Sequence, residues 1–352
     1  MSPLDVIRPE VRALQGYAVQ PAAGLVKLDV MENPFRLPAA LQAELGARLG
    51  AVALNRYPAE RNEDLRAALA RHAQLPDGCA LMLGNGSDEL ISLLTQALAK
   101  PGAAVLAPQP SFVMYELSAR LLGVGFVGVA CRPDFQLDRA ALLDAIATEK
   151  PALLWLAYPN NPTGTLWDDA VIDELIAAMT PHGLVVMDEA YQPFAARDSL
   201  ARLSRHAHVL VMRTMSKFGL AGVRIGYLMG RRELVREIEK LRPPFNVSVL
   251  NAEAALFALE HEAVYAEQAA QIRSQRERLF AALQAMPGVT PFASQANMVL
   301  ARFPDAAATF AQLKSRGILV KNVSAMHPLL LNCLRLTVGT PEETTQLIEA
   351  LT

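Results

Sequence analysis

Residues 211–227 read VMRTMSKFGLAGVRIGY. An apolar run leads into a short polar turn that holds Thr214, Ser216 and Lys217. Gly219 and Gly222 follow, then Arg224 and a second apolar run. A lysine taken alone is ordinarily a solvated surface charge. Here its neighbours suit a tight, partly buried turn, because glycine adopts backbone angles closed to other residues. An amine placed there loses proton affinity and can act as a nucleophile or bind a carbonyl carbon. The hydroxyls of Thr214 and Ser216 and the forked guanidinium of Arg224 are donors suited to a phosphate dianion. The stretch therefore reads as the anchor of a phosphorylated aldehyde, held through Lys217.

Outward from this turn the chain alternates. Helical patterns are expected at 38–49, 61–73, 88–99, 112–122, 138–147 and 168–179. Short apolar runs lie at 81–83, 104–107, 126–129, 153–157, 184–187, 209–212 and 225–229. The runs are too short for independent helices and are bounded by Gly, Pro or Asp. Near-continuous apolar strands alternating with helices predict an α/β fold with a mainly parallel sheet covered on both faces. Ligands of such sheets bind beyond the carboxyl ends of the strands. Pro243 and Pro244 break the rhythm. From 250 to 286 there is neither Gly nor Pro, which predicts one long helix or two end to end. Strands at 297–302, 318–321 and 333–338 and helices at 306–316 and from 341 onward then predict a smaller α+β domain. Residues 1–36, with Pro3, Pro9, Pro21 and Pro34, read as an arm lying on another surface. The expected division is 1–42 for the arm and part of the small domain, 43–245 for the large domain, and 246–352 for a linker helix and the small C-terminal domain.

Totals narrow the function. With 352 residues, 52% hydrophobic and 19% charged, the chain can bury a large core, and disorder is not expected. A net charge of -2 without a basic run gives no electrostatic support for binding nucleic acid or a membrane surface. Cys79, Cys131 and Cys333 are odd in number and far apart, so they suggest neither a disulfide framework nor a metal site. Buried reduced thiols in a cytoplasmic protein are the simple reading. No signal-peptide pattern opens the chain, and no stretch approaches the ~20 apolar residues of a membrane span.

Further chemistry-bearing residues follow the predicted strands. Asp188 ends one, where a fixed carboxylate can pair with a protonated ring nitrogen; Tyr191 could bond a phenolic oxygen on the same ring. The bland reading of Asp188-Glu189 is an acidic helix start. Asn160-Asn161-Pro162-Thr163-Gly164 is on its face a turn, yet Asn161 could donate its amide to that oxygen, and its bond to Pro162 is a candidate cis peptide. Gly84-Asn85-Gly86-Ser87-Asp88 lacks the third glycine of a dinucleotide loop and the lysine of a triphosphate loop. Its backbone amides at a helix start still suit a phosphate. Phe112 is a core residue or a face for stacking on a flat ring. His327, alone in a loop, reads as structural or solvated.

In this order the motifs resemble those of the fold-type I aminotransferases that use pyridoxal 5'-phosphate. The likeness covers essentially the whole chain, and within that group it is to the histidinol-phosphate aminotransferases. The superfamily is marked by Asn161-Pro162-Thr163-Gly164 and by Ser216-Lys217. The closer match rests on Met31-Glu32-Asn33-Pro34-Phe35, Asn55-Arg56-Tyr57-Pro58, the run from Tyr158 to Gly164, YPNNPTG, and the run from Cys333 to Pro341, CLRLTVGTP. The resemblance implies a mainly parallel seven-stranded sheet between helices in a large domain, with a smaller α+β domain. It implies that Lys217 carries the cofactor covalently, Asp188 faces its ring nitrogen, Asn161 and Tyr191 bind its phenolic oxygen, and Phe112 stacks on the ring. Ser87, Asp88 through its amide, Thr214, Ser216 and Arg224 would hold the phosphate, with Tyr57 reaching in from the neighbouring subunit of a homodimer. Arg335, Lys321, Tyr17 and Asn161 would meet substrate; no metal is implied.

The implied reaction is transamination of histidinol phosphate with 2-oxoglutarate to give imidazole-acetol phosphate and glutamate, in histidine biosynthesis. An aromatic amino-acid aminotransferase and an amino-acid-phosphate decarboxylase of the same fold are alternatives, and a non-catalytic cofactor-binding regulator is a remote one. The chain departs from the family pattern in three places. The link from Lys217 to Arg224 is one residue shorter than in many relatives, Lys321 stands where an arginine is frequent, and Phe112 stands where a tyrosine is frequent.

Overall fold

A computed structural model describes residues 2–14 and 20–352. Its centre is a seven-stranded sheet, with strands in the spatial order Cys79–Gly84, Gly226–Arg231, Val209–Thr214, Leu184–Asp188, Leu153–Ala157, Ala104–Gln109 and Gly125–Ala130. Each of the seven apolar runs read from the sequence is one of these strands. Only Gly226–Arg231 runs antiparallel to its neighbours; the other pairings are parallel. The carboxyl ends of the other six strands therefore lie along one edge, where the chemistry-bearing turns collect.

The apolar runs are continuous because both faces of the sheet are buried. In Leu153–Ala157, Leu154 and Leu156 pack into one core with Leu65, Ile172 and Ile176 from helices on that side. Leu153, Trp155 and Ala157 pack into the other with Leu90, Ile91 and Leu94 from helix Ser87–Ala97. Alternate side chains leave a strand on opposite faces, so each face needs its own apolar set.

The stretch 250–286 forms two helices, Val249–Glu260 and Glu262–Gln284, that meet at His261. The first is tied to the helices Ala39–Gly50 and Ala59–His72 by Glu253, which receives Arg48 at 2.6 Å and Arg61 at 2.5 Å. A carboxylate this buried is tolerated because two guanidinium groups share it.

A separate core gathers Leu28 and Met31 from the arm with Leu279, Leu283, Met298, Val299, Leu336 and Leu347. Its four-stranded sheet has the order Lys321–Asn322, Cys333–Thr337, Met298–Arg302, Thr290–Pro291. The single strand expected at 318–321 is in fact two. Ile318–Leu319 pairs in parallel with Val26–Lys27 of the arm, and Lys321–Asn322 pairs antiparallel with Cys333–Thr337. Val320 between them is buried, so the chain passes from one ladder to the other without leaving the core. The arm thus supplies a strand.

Candidate active site

Between the carboxyl edge of the large sheet and the small sheet lies a cavity of about 870 Å³. At one end, Gly86 precedes helix Ser87–Ala97 with φ 79°. The first amides of a helix have no acceptor within it, and they point at whatever lies before it. Arg224 reaches this end: Nη1 lies 3.4 Å from Ser216 Oγ and Nη2 donates to Asp88 Oδ2 at 3.4 Å. Space there is closed to side chains. A Cβ on Gly86 would lie 2.7 Å from Arg224 Nη2, and one on Gly226 would lie 2.7 Å from the backbone of Gly86 and Ser87.

The short link between Lys217 and Arg224 folds as one π-helical turn, Ser216–Leu220, followed by a 3-10 turn, Ala221–Val223. Gly219 takes φ 143° and Arg224 takes the left-handed φ of 55°. The tighter turn therefore still delivers the guanidinium to Ser216. Thr214 Oγ1 accepts from the Ser216 amide at 3.2 Å and donates to Ile225 carbonyl at 3.1 Å, which closes the base of the turn. Asn33 of the arm donates to the Phe218 carbonyl at 3.3 Å and to Gln268 at 3.0 Å, clamping the turn from outside.

Lys217 Nζ donates to the Val30 carbonyl at 3.0 Å. Burial, with the charge of Arg335 adding to it, pulls its ammonium down to about 8. Farther along the wall, Asp188 ends its strand with a carboxylate that is 4% exposed. Its Oδ1 accepts from the Ala190 amide at 3.1 Å and its Oδ2 from the hydroxyl of Tyr115 at 2.6 Å. Burial pushes the carboxyl up to about 6 against the pull of those two donors.

On the small-domain side, Arg335 donates from Nη1 to Asn161 Oδ1 and from Nη2 to the Asp29 carbonyl, each at 2.7 Å. A guanidinium only donates, so the oxygen of Asn161 must face it, which leaves the amide nitrogen as its remaining donor. The peptide between Asn161 and Pro162 is cis, as the turn suggested. Lys321 stands opposite Arg335 in the antiparallel ladder, so both side chains leave the sheet on the same face, and both line the cavity. Two cations side by side make a receptor for an anionic group. The residues together suit a flat ring that carries a phosphate at one end and a basic nitrogen at the other, with an aldehyde between them.

Comparison with known proteins agrees with this geometry. The family described as "Aminotransferase class I and II" matches residues 23–351. The chain is 67% identical to the histidinol-phosphate aminotransferase of Methylibium petroleiphilum over 346 residues, 98% of this chain and 93% of that protein. It is 61% identical to that of Polaromonas naphthalenivorans over 98% of this chain and 95% of the relative. The chain belongs to the class I and II aminotransferases, within the histidinol-phosphate aminotransferase family. Among solved structures, the histidinol-phosphate aminotransferase of Sinorhizobium meliloti in complex with pyridoxal-5'-phosphate superposes with a TM-score of 0.86. It is 26% identical, with 98% of this chain and 96% of that one covered.

Of the residues singled out in the sequence, this aminotransferase brings Ser87, Asp88, Phe112, Asn161, Asp188, Tyr191, Thr214, Ser216, Lys217, Arg224, Lys321 and Arg335 to one cavity. Tyr57 does not line it. Its ring is 79% exposed and stacks on Phe245 with centroids 4.5 Å apart. His327 borders a small adjoining pocket beside Phe112, where its Nδ1 accepts from the Leu329 amide at 3.2 Å. Tyr17 lies outside the described residues. Sequence reasoning missed Tyr115 and the carbonyls of Asp29 and Val30. Phe112 lies just before helix Met114–Leu122 and Tyr115 just inside it, and their rings meet edge to face, yet no pattern in the sequence singles Tyr115 out. Nothing in the residue types of Asp29 and Val30 marks their carbonyls as receptors.

Proposed function

We propose that this enzyme uses pyridoxal 5'-phosphate to move the amino group of L-histidinol phosphate to 2-oxoglutarate, giving imidazole-acetol phosphate and L-glutamate, in histidine biosynthesis. The observation that carries the reading is the buried amine of Lys217 in a cavity with a buried carboxylate on one wall and paired cations on another. Relatives at 61–67% identity carry this activity in their names.

When bound, the cofactor supplies an electron-accepting ring beside the substrate carbon. Ser87, Asp88 through its amide, Ser216 and Arg224 hold its phosphate, with Thr214 bracing the turn, and Asp188 keeps its ring nitrogen protonated. Asn161 offers an amide hydrogen and Tyr191 a hydroxyl to the phenolic oxygen; burial pushes the Tyr191 hydroxyl above its ordinary range, so it stays protonated and remains a donor. Phe112 covers a ring face. Lys217, which sheds its proton around pH 8, would take the proton from the carbon bearing the amino group and return it to the cofactor carbon on the far side of that nitrogen. Arg335 and Lys321 receive the phosphate of one substrate and a carboxylate of the other, which lets one pocket serve both.

The same reading makes the enzyme a homodimer with shared sites. Tyr57, Phe245, Leu54 and Leu250 leave apolar surface uncovered. Tyr57 turned away from its own cavity suits a reach into the partner's. A cytoplasmic location fits the three buried, unbridged cysteines. Among the described residues, no helix is long and apolar enough to cross a membrane.

Borohydride reduction of the cofactor-loaded enzyme followed by peptide mapping tests the core of this assignment. The adduct is expected on Lys217, and an adduct on any other lysine overturns it. Histidinol phosphate added to the loaded enzyme should bleach the cofactor's long-wavelength absorbance. If phenylalanine or threonine phosphate bleaches it and histidinol phosphate does not, the substrate assignment is wrong.

A further inference from the structure

Tyr115 lies at the root of the site, 1% exposed, on the helix Met114–Leu122. Its ring is fixed on two sides. It stacks on Trp155 with centroids 4.6 Å apart and planes 4° from parallel, and the ring of Phe112 meets it edge to face at 5.7 Å. A phenol so clamped can swing only its hydroxyl hydrogen, and Asp188 Oδ2 lies 2.6 Å away. Short hydrogen bonds to an ionised oxygen are the strong ones. The Ala190 amide occupies the other carboxylate oxygen. With both oxygens held, the carboxylate cannot turn about its own axis, and the remaining lone pairs keep one direction.

A buried carboxylate without donors takes up a proton and ceases to be an anion. Donors reverse that preference, and this one cannot itself ionise: burial and the neighbouring Asp188 charge raise the Tyr115 hydroxyl far above its ordinary range. The other charged or titratable groups that bear on Asp188 are Asp88 and Tyr191. Asp88 disfavours the anion, which leaves Tyr115 and the Ala190 amide as its support.

We infer that Tyr115 is a positioning residue for transamination, its hydroxyl holding the Asp188 carboxylate charged and aimed at the cofactor's ring nitrogen. The inference rests on the reading that Asp188 faces that nitrogen. Loss of the hydroxyl lets Asp188 turn or take a proton, and the ring nitrogen then holds its own proton less firmly. A ring with less positive charge makes the nitrogen linked to Lys217 easier to protonate.

The test compares Tyr115→Phe, Asp188→Asn and Trp155→Phe as purified apoproteins reloaded with pyridoxal 5'-phosphate. Tyr115→Phe keeps the ring and the packing, and circular dichroism checks its fold. It is expected to bind the cofactor about tenfold more weakly, as loss of a hydrogen bond to a charged group would give. The pH midpoint of the bound cofactor's absorbance should rise by about half a unit or more. Asp188→Asn should shift both readouts further. Trp155→Phe, which disturbs the stack and keeps the hydroxyl, should leave the midpoint in place. If Tyr115→Phe matches the parent while Asp188→Asn does not, the role of Tyr115 is refuted. It is equally refuted if Trp155→Phe moves the midpoint as far as Tyr115→Phe does. If Asp188→Asn also matches the parent, the placement of Asp188 falls first and Tyr115 with it.

Discussion

Arg335 and Asn161 join the two sheets of the enzyme: Nη1 of the guanidinium donates to Asn161 Oδ1 at 2.7 Å, across 174 residues of sequence. The second arm of the fork holds the carbonyl of Asp29. Arg335 therefore binds the turn after a large-sheet strand and the N-terminal arm at once, while Lys321 stands beside it without a fork. A lysine at 335 would keep the charge and lose the simultaneous grip. Arg335→Lys is expected to lower kcat/KM about ten- to a hundredfold for both substrates, mainly through KM. Steady-state kinetics with each substrate varied in turn checks this; a loss confined to one substrate would separate the two anion sites.

The lowered basicity of Lys217 gives a pH dependence with a definite sign. Its folded value of about 8 lies below the ordinary 10.5. Below about 8 the amine is charged in both states and its burial costs stability in full. Between 8 and 10.5 the unfolded chain binds more protons than the folded one, so this group's contribution to stability rises with pH. Capture of the cofactor aldehyde needs the neutral amine. The capture rate of the apoprotein, followed by absorbance, should climb up to about pH 8 and level off above it. A rate still climbing at pH 10 would contradict the burial argument.

Gly226 and the turn at Gly86-Ser87 are in direct backbone contact. A methyl at 226 would lie 2.7 Å from the carbonyl carbon of Gly86 and from the Ser87 nitrogen, and neither can move as a side chain could. Gly226→Ala should destabilise the apoprotein by about 1–3 kcal/mol, as overpacking does. Because the displaced atoms head helix Ser87–Ala97, the helix proposed to receive the cofactor's phosphate, cofactor affinity should fall as well. Thermal melts and cofactor titration of the same preparation check both; a stable variant with intact affinity would show that the turn yields.

Tyr57 provides the test of sharing between subunits. Tyr57→Ala removes a side chain that lies outside its own cavity, so a self-contained site would lose nothing. The expected result is cofactor affinity lowered several-fold, consistent with loss of about one hydrogen bond. Mixed with inactive Lys217→Ala subunits, Tyr57→Ala subunits should regain parent-like cofactor affinity in hybrid dimers. That follows because each Lys217-bearing site then receives an intact Tyr57 from its partner. Unchanged affinity in Tyr57→Ala itself refutes the shared site.

Much of the site was legible because its signals are local. Asp188, Asn161, Ser87 and Lys217 each follow an apolar run, and a strand end in a parallel sheet is where ligands bind. Tyr115 was not legible. It is one more aromatic in a helix, and its partner Asp188 is 73 residues away. The split of 318–321 into two ladders was hidden for the same reason. Four apolar-to-basic residues satisfy either pairing, and only the arriving arm strand Val26–Lys27 decides between them.

Sequence alone determined the seven central strands, the lysine turn and the identity of most groups around the cavity, because alternation, glycine turns and strand ends are properties of neighbouring residues. Only the tertiary structure decided that the arm completes a sheet, that Arg335 grips Asn161 and Asp29, that the shortened turn still presents Arg224, and that Tyr115 sits beneath Asp188. Those are meetings of distant segments. They depend on how two cores close around a cavity, and no periodicity in the chain encodes that.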